Sequence, residues 1–168
     1  MDTKRVWLEP SQALGTKMVF YREHFLHTTE DGFIVRPSYM DTHLSHNLRC
    51  VIGQLRTSSH QLEIETGRYT RVPPEERICQ ICRHEPETEE HYICRCTAYY
   101  EIRGCFHCLF REGFGPLARV MEYCDQRCLG LYLLEIRRMR ETLLQGAHPT
   151  KRKTTQGQIT DFFRVPSQ

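Results

Sequence analysis

Four side chains between residues 79 and 96 carry the chemistry most plainly written in this sequence. Cys79-Gln-Ile-Cys82 sets two thiols two residues apart, His91 follows after eight residues, and Cys96 after four more. A tight turn between the first two cysteines lets both sulfurs face one ion. A second pair from the next element then closes a tetrahedron with bonds of about 2.0–2.3 Å. Thiolate and imidazole select zinc over magnesium or calcium. Four protein ligands leave no position for water. The expected role of Cys79, Cys82, His91 and Cys96 is therefore to hold one structural Zn2+, coupling the folding of this stretch to metal, with no bound hydroxide for hydrolysis. Cys94 is near enough in sequence to replace Cys96 or His91. Glu85, Glu87, Glu89 and Glu90 are expected to face solvent, since the site is already full.

The chain has nine cysteines, an odd number, and its start lacks an apolar run with a small-residue cleavage site. Both features argue against a disulfide framework and for metal ligation. Cys105-Phe-His-Cys108 is a second CxxC with no clean partner pair, and Cys124 and Cys128 stand four apart on an apolar helical stripe. Core packing is the favoured reading of that last pair. Were Cys105, Cys108, Cys124 and Cys128 all ligands, the alternative would be a two-zinc cross-braced ubiquitin ligase. Cys50, beside another apolar stripe, reads as a small buried residue. His24, His27, His43, His46 and His60 have no spacing that commits them to a site. No Ser/His/Asp order, phosphate-binding glycine loop or evident carboxylate pair is present, so a non-catalytic protein is expected.

The second motif lies near the other end. Gln156-Gly-Gln-Ile159-Thr-Asp-Phe162-Phe163 has the pattern Gln-x-x-aliphatic-x-x-aromatic-aromatic. One turn of 3-10 helix eclipses residues three apart. Ile159 and Phe162 then project together with Phe163 beside them, an anchor cluster for an apolar pocket. Gln156 can hydrogen-bond into a side pocket through its amide, and Thr160 and Asp161 favour the local turn. The segment closely resembles the peptide by which replication and repair proteins bind the sliding clamp, proliferating cell nuclear antigen (PCNA). Lys151, Arg152 and Lys153 just upstream suit steering onto an acidic rim or nuclear import. A nuclear location is expected.

The elements that position these motifs are mostly helical in pattern. Residues 1–40 are weakly periodic, with Met18, Tyr21, Phe25 and Leu26 near one face. Residues 41–56 predict a helix through Leu44, Leu48, Val51, Ile52 and Leu55, capped by Asp41 or Thr42. Residues 61–70 alternate apolar and charged before a glycine, which suggests a short extended segment. Residues 116–144 carry a stripe of Leu117, Val120, Met121, Cys124, Cys128, Leu131 and Leu134, with Gly130 as the expected break. Arg137, Arg138 and Arg140 read as a solvated basic face. From Thr150 apolar residues nearly vanish until Ile159, as in a tail that is disordered when unbound.

Net charge is +2, and the last eighteen residues hold +3 of it, leaving −1 on the rest. A near-neutral body is not the footprint of a strong duplex binder, so any contact with RNA or DNA must come from local patches. No stretch is long and apolar enough to cross a bilayer, and no membrane partner is expected.

Residues 55–68, Leu-Arg-Thr-Ser-Ser-His-Gln-Leu-Glu-Ile-Glu-Thr-Gly-Arg, resemble a stretch in the C-terminal region of LINE-type retrotransposon reverse transcriptase polyproteins. In that family a proline-containing basic segment, a CxxC, an acidic run, His-x4-Cys and a tyrosine follow. Here Arg71, Pro73, Pro74, Glu76 and Arg77 precede Cys79, and Glu89-Glu90-His91, Cys96 and Tyr99 or Tyr100 continue the order. Leu134-Glu-Ile-Arg137-Arg138 is similar to the closing helix. The likeness spans about residues 44–144. Ser58 stands where the family often has Gly, and Thr97 where Pro follows the last ligand. The family's polymerase aspartates and its endonuclease are not in this chain. The resemblance implies a post-polymerase zinc module alone, with nucleic acid as a further candidate partner, or an inert retroelement fragment.

The expected architecture is mainly α. It comprises a poorly defined segment (1–40), a small helical domain with a zinc knuckle (41–146), and a disordered C-terminal tail with the clamp motif (147–168).

Overall fold

A computed structural model describes residues 19–25, 29–31, 35–40, 43–110, 117–123 and 125–146. The clamp motif, Lys151, Arg152, Lys153 and Cys124 lie outside the described residues. The described elements are helical. They are α1 (Val19–His24), α2 (His46–Arg56), α3 (Glu63–Tyr69), α4 (Tyr100–Cys105), α5 (Leu117–Tyr123) and α6 (Gln126–Gly146), with short 3-10 turns and one π turn between them. The described residues form no strand, only an isolated antiparallel bridge between Ile78 and Pro86. The mainly α expectation holds, and no described helix is long and apolar enough to cross a membrane.

The core is built where α2 meets α6. Leu48, Val51, Ile52 and Leu55 from α2 pack on Leu129, Tyr132, Leu133 and Ile136 from α6, all buried. Full burial of each aliphatic side chain contributes about 1.5–3 kcal/mol. The expected break at Gly130 is not there. Gly130 is a close-approach point inside α6, since a Cβ on it would sit 3.0 Å from Leu48 Cβ. The break falls instead between α5 and α6. Asp125 Oδ1 caps α6 by accepting the N–H groups of Arg127 (2.8 Å) and Cys128 (3.0 Å). This resets the helical phase. Leu117, Val120 and Met121 are buried as expected, but beyond the break the buried residues are Gln126, Leu129, Gly130, Tyr132, Leu133, Ile136 and Arg140, while Cys128, Leu131 and Leu134 are half-buried.

Two more boundaries differ from the sequence pattern. Helix α2 starts at His46 after an extended Ser45 that makes no side-chain cap bond, and Asp41 and Thr42 lie outside the described residues. Residues 63–69 are helix, not extended chain. The reason is a cap supplied from 24 residues away, where Glu87 Oε2 accepts the Glu63 N–H at 2.8 Å. Gly67 is required here because a Cβ would come within 2.7 Å of Arg77 Cγ. Arg77 lies across that gap and donates to the carbonyls of Val72 (2.9 Å) and Ile64 (2.6 Å), tying α3 to the chain that enters Cys79.

One buried arginine joins the described N-terminal residues to the body. Arg56 is 1% exposed, its guanidinium stacked 4.0 Å from the Phe25 ring centroid and 5.3 Å from that of Tyr39. It also donates to the Met121 carbonyl, linking α1, α2 and α5. Burial lowers its pKa, with Glu122 opposing that shift.

Candidate metal centre

The knuckle begins with a turn. Arg83 N–H donates to the Cys79 carbonyl at 2.9 Å, and Arg83 takes a left-handed φ of 59°. Cys79 N–H donates to Glu85 O (2.9 Å) and Glu87 N–H to Arg77 O (2.8 Å), so the chain folds back on itself beyond the second cysteine. The amides of Ile81 and Cys82 point at Cys79 Sγ and stabilise its thiolate form.

The second pair of candidate ligands brackets the π turn His91–Arg95, with His91 opening it and Cys96 following it. Thr88 Oγ1 caps its entry by accepting the His91 N–H at 3.0 Å. Cys96 N–H then reaches back five residues to His91 O at 2.7 Å. This wider turn decides the ligand set. In an α-helix, at about 100° per residue, positions five apart diverge by about 140°. A π turn, which closes residue i to i+5, narrows that divergence. His91 and Cys96 therefore face the same way.

The ligating atoms of Cys79, Cys82, His91 and Cys96 all lie within 4.8 Å of one another. Cys79 Sγ is 4.0 Å from Cys96 Sγ, and Cys82 Sγ is 3.3 Å from His91 Nε2. Two sulfurs each about 2.3 Å from one tetrahedral zinc would be about 3.8 Å apart. The spacing and the donor types thus fit a four-coordinate metal ion of the zinc kind. Cys94 does not belong to the group. It is buried outside that group, and burial raises its thiol pKa to about 11. Among the described residues no second group of three or more such ligands converges. Cys105 and Cys108 are exposed, and Cys128 is half-buried.

The surroundings settle one thiolate in the cluster, on Cys79. Cys79 is held down to about 3, first by the hydrogen bond from Cys96, against burial and with help from His91. The same bond keeps the proton on Cys96, whose pKa is raised. Burial pulls the His91 pKa down, but Cys79 and Glu85 outweigh it and raise it. Glu85 Oε1 lies 2.8 Å from His91 Nδ1, somewhat off the line of a ring N–H hydrogen bond. A carboxylate on the outer nitrogen leaves Nε2 aimed at the sulfurs, the usual arrangement around a metal-bound histidine.

Glu87 is the residue whose role differs most from expectation. It is fully buried, and Arg140 from α6 grips both its oxygens at 2.9 Å. Cys79 Sγ stands 3.7 Å from Glu87 Oε1. Burial raises the Glu87 pKa against the pull of Arg140. Burial also works to lower that of Arg140, and the paired carboxylate more than offsets it. Glu89 is buried too, accepting from Ser58 and paired with His60 at 3.1 Å, while Glu90 faces solvent as expected. The ligand-bearing turn is pinned from behind. Tyr132 donates to Ile93 O at 2.5 Å, and Arg103 donates to Cys96 O at 2.6 Å. Arg140 carried one readable signal: it stands four residues after Ile136, on the buried face of α6.

No family model, curated protein or solved structure matches the chain. The geometry of the cluster therefore carries the functional argument together with the sequence motifs.

Proposed function

We propose that this chain is a non-catalytic adaptor. Its body is stabilised by one structural Zn2+ on Cys79, Cys82, His91 and Cys96, and its tail docks on the PCNA sliding clamp in the nucleus. The observation that carries the docking role is the spacing of Gln156, Ile159, Phe162 and Phe163. Ile159 and Phe162, one 3-10 turn apart, and the adjacent Phe163 make three apolar prongs in a polar tail that suit a partner's pocket and have no evident use in water. Support for a structural metal comes from the full set of four protein ligands, which leaves no site for an activated water.

The body reads as a retroelement-derived zinc module, with RNA or DNA as a further partner. Ser58 supports this reading. Its φ of 50° is left-handed, a conformation that costs least for glycine, and glycine is common at that position of the resembling family. Gly67 and Arg77 support it as well, since their interlock ties the Ile-Glu-x-Gly-Arg stretch to the metal knuckle.

The test is calorimetric titration of the full chain into the clamp. Saturable binding at micromolar affinity is expected for the natural chain, with loss of at least tenfold, about 1.4 kcal/mol, in a Phe162→Ala, Phe163→Ala variant. Equal binding by both chains would remove the docking role.

A further inference from the structure

A second pair of sulfurs meets away from the four-ligand centre. Cys108 Sγ lies 3.2 Å from Cys128 Sγ, and both are thiols in this structure. Packed or hydrogen-bonded neighbours hold each one. Cys108 belongs to the 3-10 turn His107–Leu109. That turn is fastened to α6 because Phe106 and Phe110 flank the Tyr132 ring at centroid distances of 5.5 and 5.4 Å. Cys128 sits in the first turn of α6, with its N–H fixed on Asp125 Oδ1. The sulfurs are thus within roughly 1 Å of the 2.03–2.05 Å bonding distance. Cys108 is exposed to solvent, so a small oxidant can reach it. Cys79 and Cys96 are 1% and 0% exposed and have no such access.

We propose that Cys108 and Cys128 form a reversible disulfide when the protein meets a peroxide. Cys108 sulfur attacks one peroxide oxygen, the O–O bond breaks, and the thiol proton leaves with the departing hydroxide as water, giving a sulfenic acid. Cys128 sulfur then attacks Cys108 sulfur, the S–O bond breaks, and a second water leaves. Two thiols and one hydrogen peroxide give one disulfide and two waters, a two-electron oxidation of the sulfur pair. The product bridges the 3-10 turn to the start of α6 and leaves the metal ligands untouched.

The test treats the zinc-loaded full chain with one equivalent of hydrogen peroxide, blocks remaining thiols by alkylation, and maps tryptic peptides by mass spectrometry. The expected product joins residues 104–111 to 128–137 through Cys108, lighter by two hydrogens than the two peptides together. It is reversed by dithiothreitol, absent from Cys108→Ser and retained in Cys105→Ser. A bridge through Cys105 or Cys124 instead, or full alkylation of Cys108 and Cys128 after peroxide, would overturn the proposal. So would a second zinc equivalent that disappears in Cys108→Ser, which would make the pair metal ligands.

Discussion

The sulfurs of Cys79 and Cys96 are 4.0 Å apart, and those of Cys108 and Cys128 are 3.2 Å apart, yet the two pairs stand in opposite surroundings. The first pair is buried, with His91 and Cys82 completing a four-ligand group and Glu87 and Arg140 behind it. The second is open to solvent on one side, and among the described residues no third and fourth ligand converge on it. Proximity of thiols alone therefore does not make a candidate metal site; the first pair also has burial, two further donors and a backing ion pair. At the first pair, a π turn, a capping threonine and a buried ion pair all fix where the sulfurs point.

Removing the metal is expected to have the largest effect. Ion binding at sites of this kind is worth on the order of 10 kcal/mol. A zinc chelator, or Cys79→Ser, should abolish the cooperative thermal transition seen by circular dichroism. Cys108→Ser should leave that transition in place. If chelation changes nothing, the contrast between the two pairs is lost. Next comes the backing. Arg140→Met strands the buried Glu87 carboxylate and should cost about 3–5 kcal/mol in urea unfolding. Arg138→Met, on the exposed face, should cost under about 0.5 kcal/mol.

Acidification sharpens the comparison through His91. Its pKa is raised above the ordinary 6.5. In the metal-free body, protonated His91 contributes stability that is full at low pH and is lost as pH rises through the raised value. Metal binding needs the neutral ring, so it runs the other way. Zinc retention on dialysis should fall as pH drops through that value, by about tenfold in affinity per pH unit for each proton displaced. A flat profile between pH 8 and pH 5 would exclude His91 as a ligand. The smallest effects separate two glycines. Gly130→Ala should destabilise by about 1–3 kcal/mol, because its Cβ meets Leu48 at 3.0 Å. Gly104→Ala has nothing within 4 Å and should stabilise by up to about 1 kcal/mol. Equal effects would mean that α2 and α6 do not pack as described.

The convergence of the four candidate ligands and the helical class were legible because their signals are local. The CxxC spacing, the His-x4-Cys spacing and the stripe through Leu48, Val51, Ile52 and Leu55 need no partner to be read. What stayed hidden depends on distant contacts. Helix α3 looked extended because its cap is the Glu87 carboxylate and no neighbour in sequence. Glu87 and Arg140 looked solvated because only the fold brings them together. The stripe after Asp125 was misassigned because one period was carried through a helix break.

The central claim is that a single metal ion on Cys79, Cys82, His91 and Cys96 organises the body. Native mass spectrometry of the full chain tests it most directly. The account predicts one zinc per chain, lost in Cys79→Ser and Cys96→Ser and kept in Cys108→Ser. A folded chain carrying no zinc, or one whose zinc survives both ligand substitutions, would contradict it.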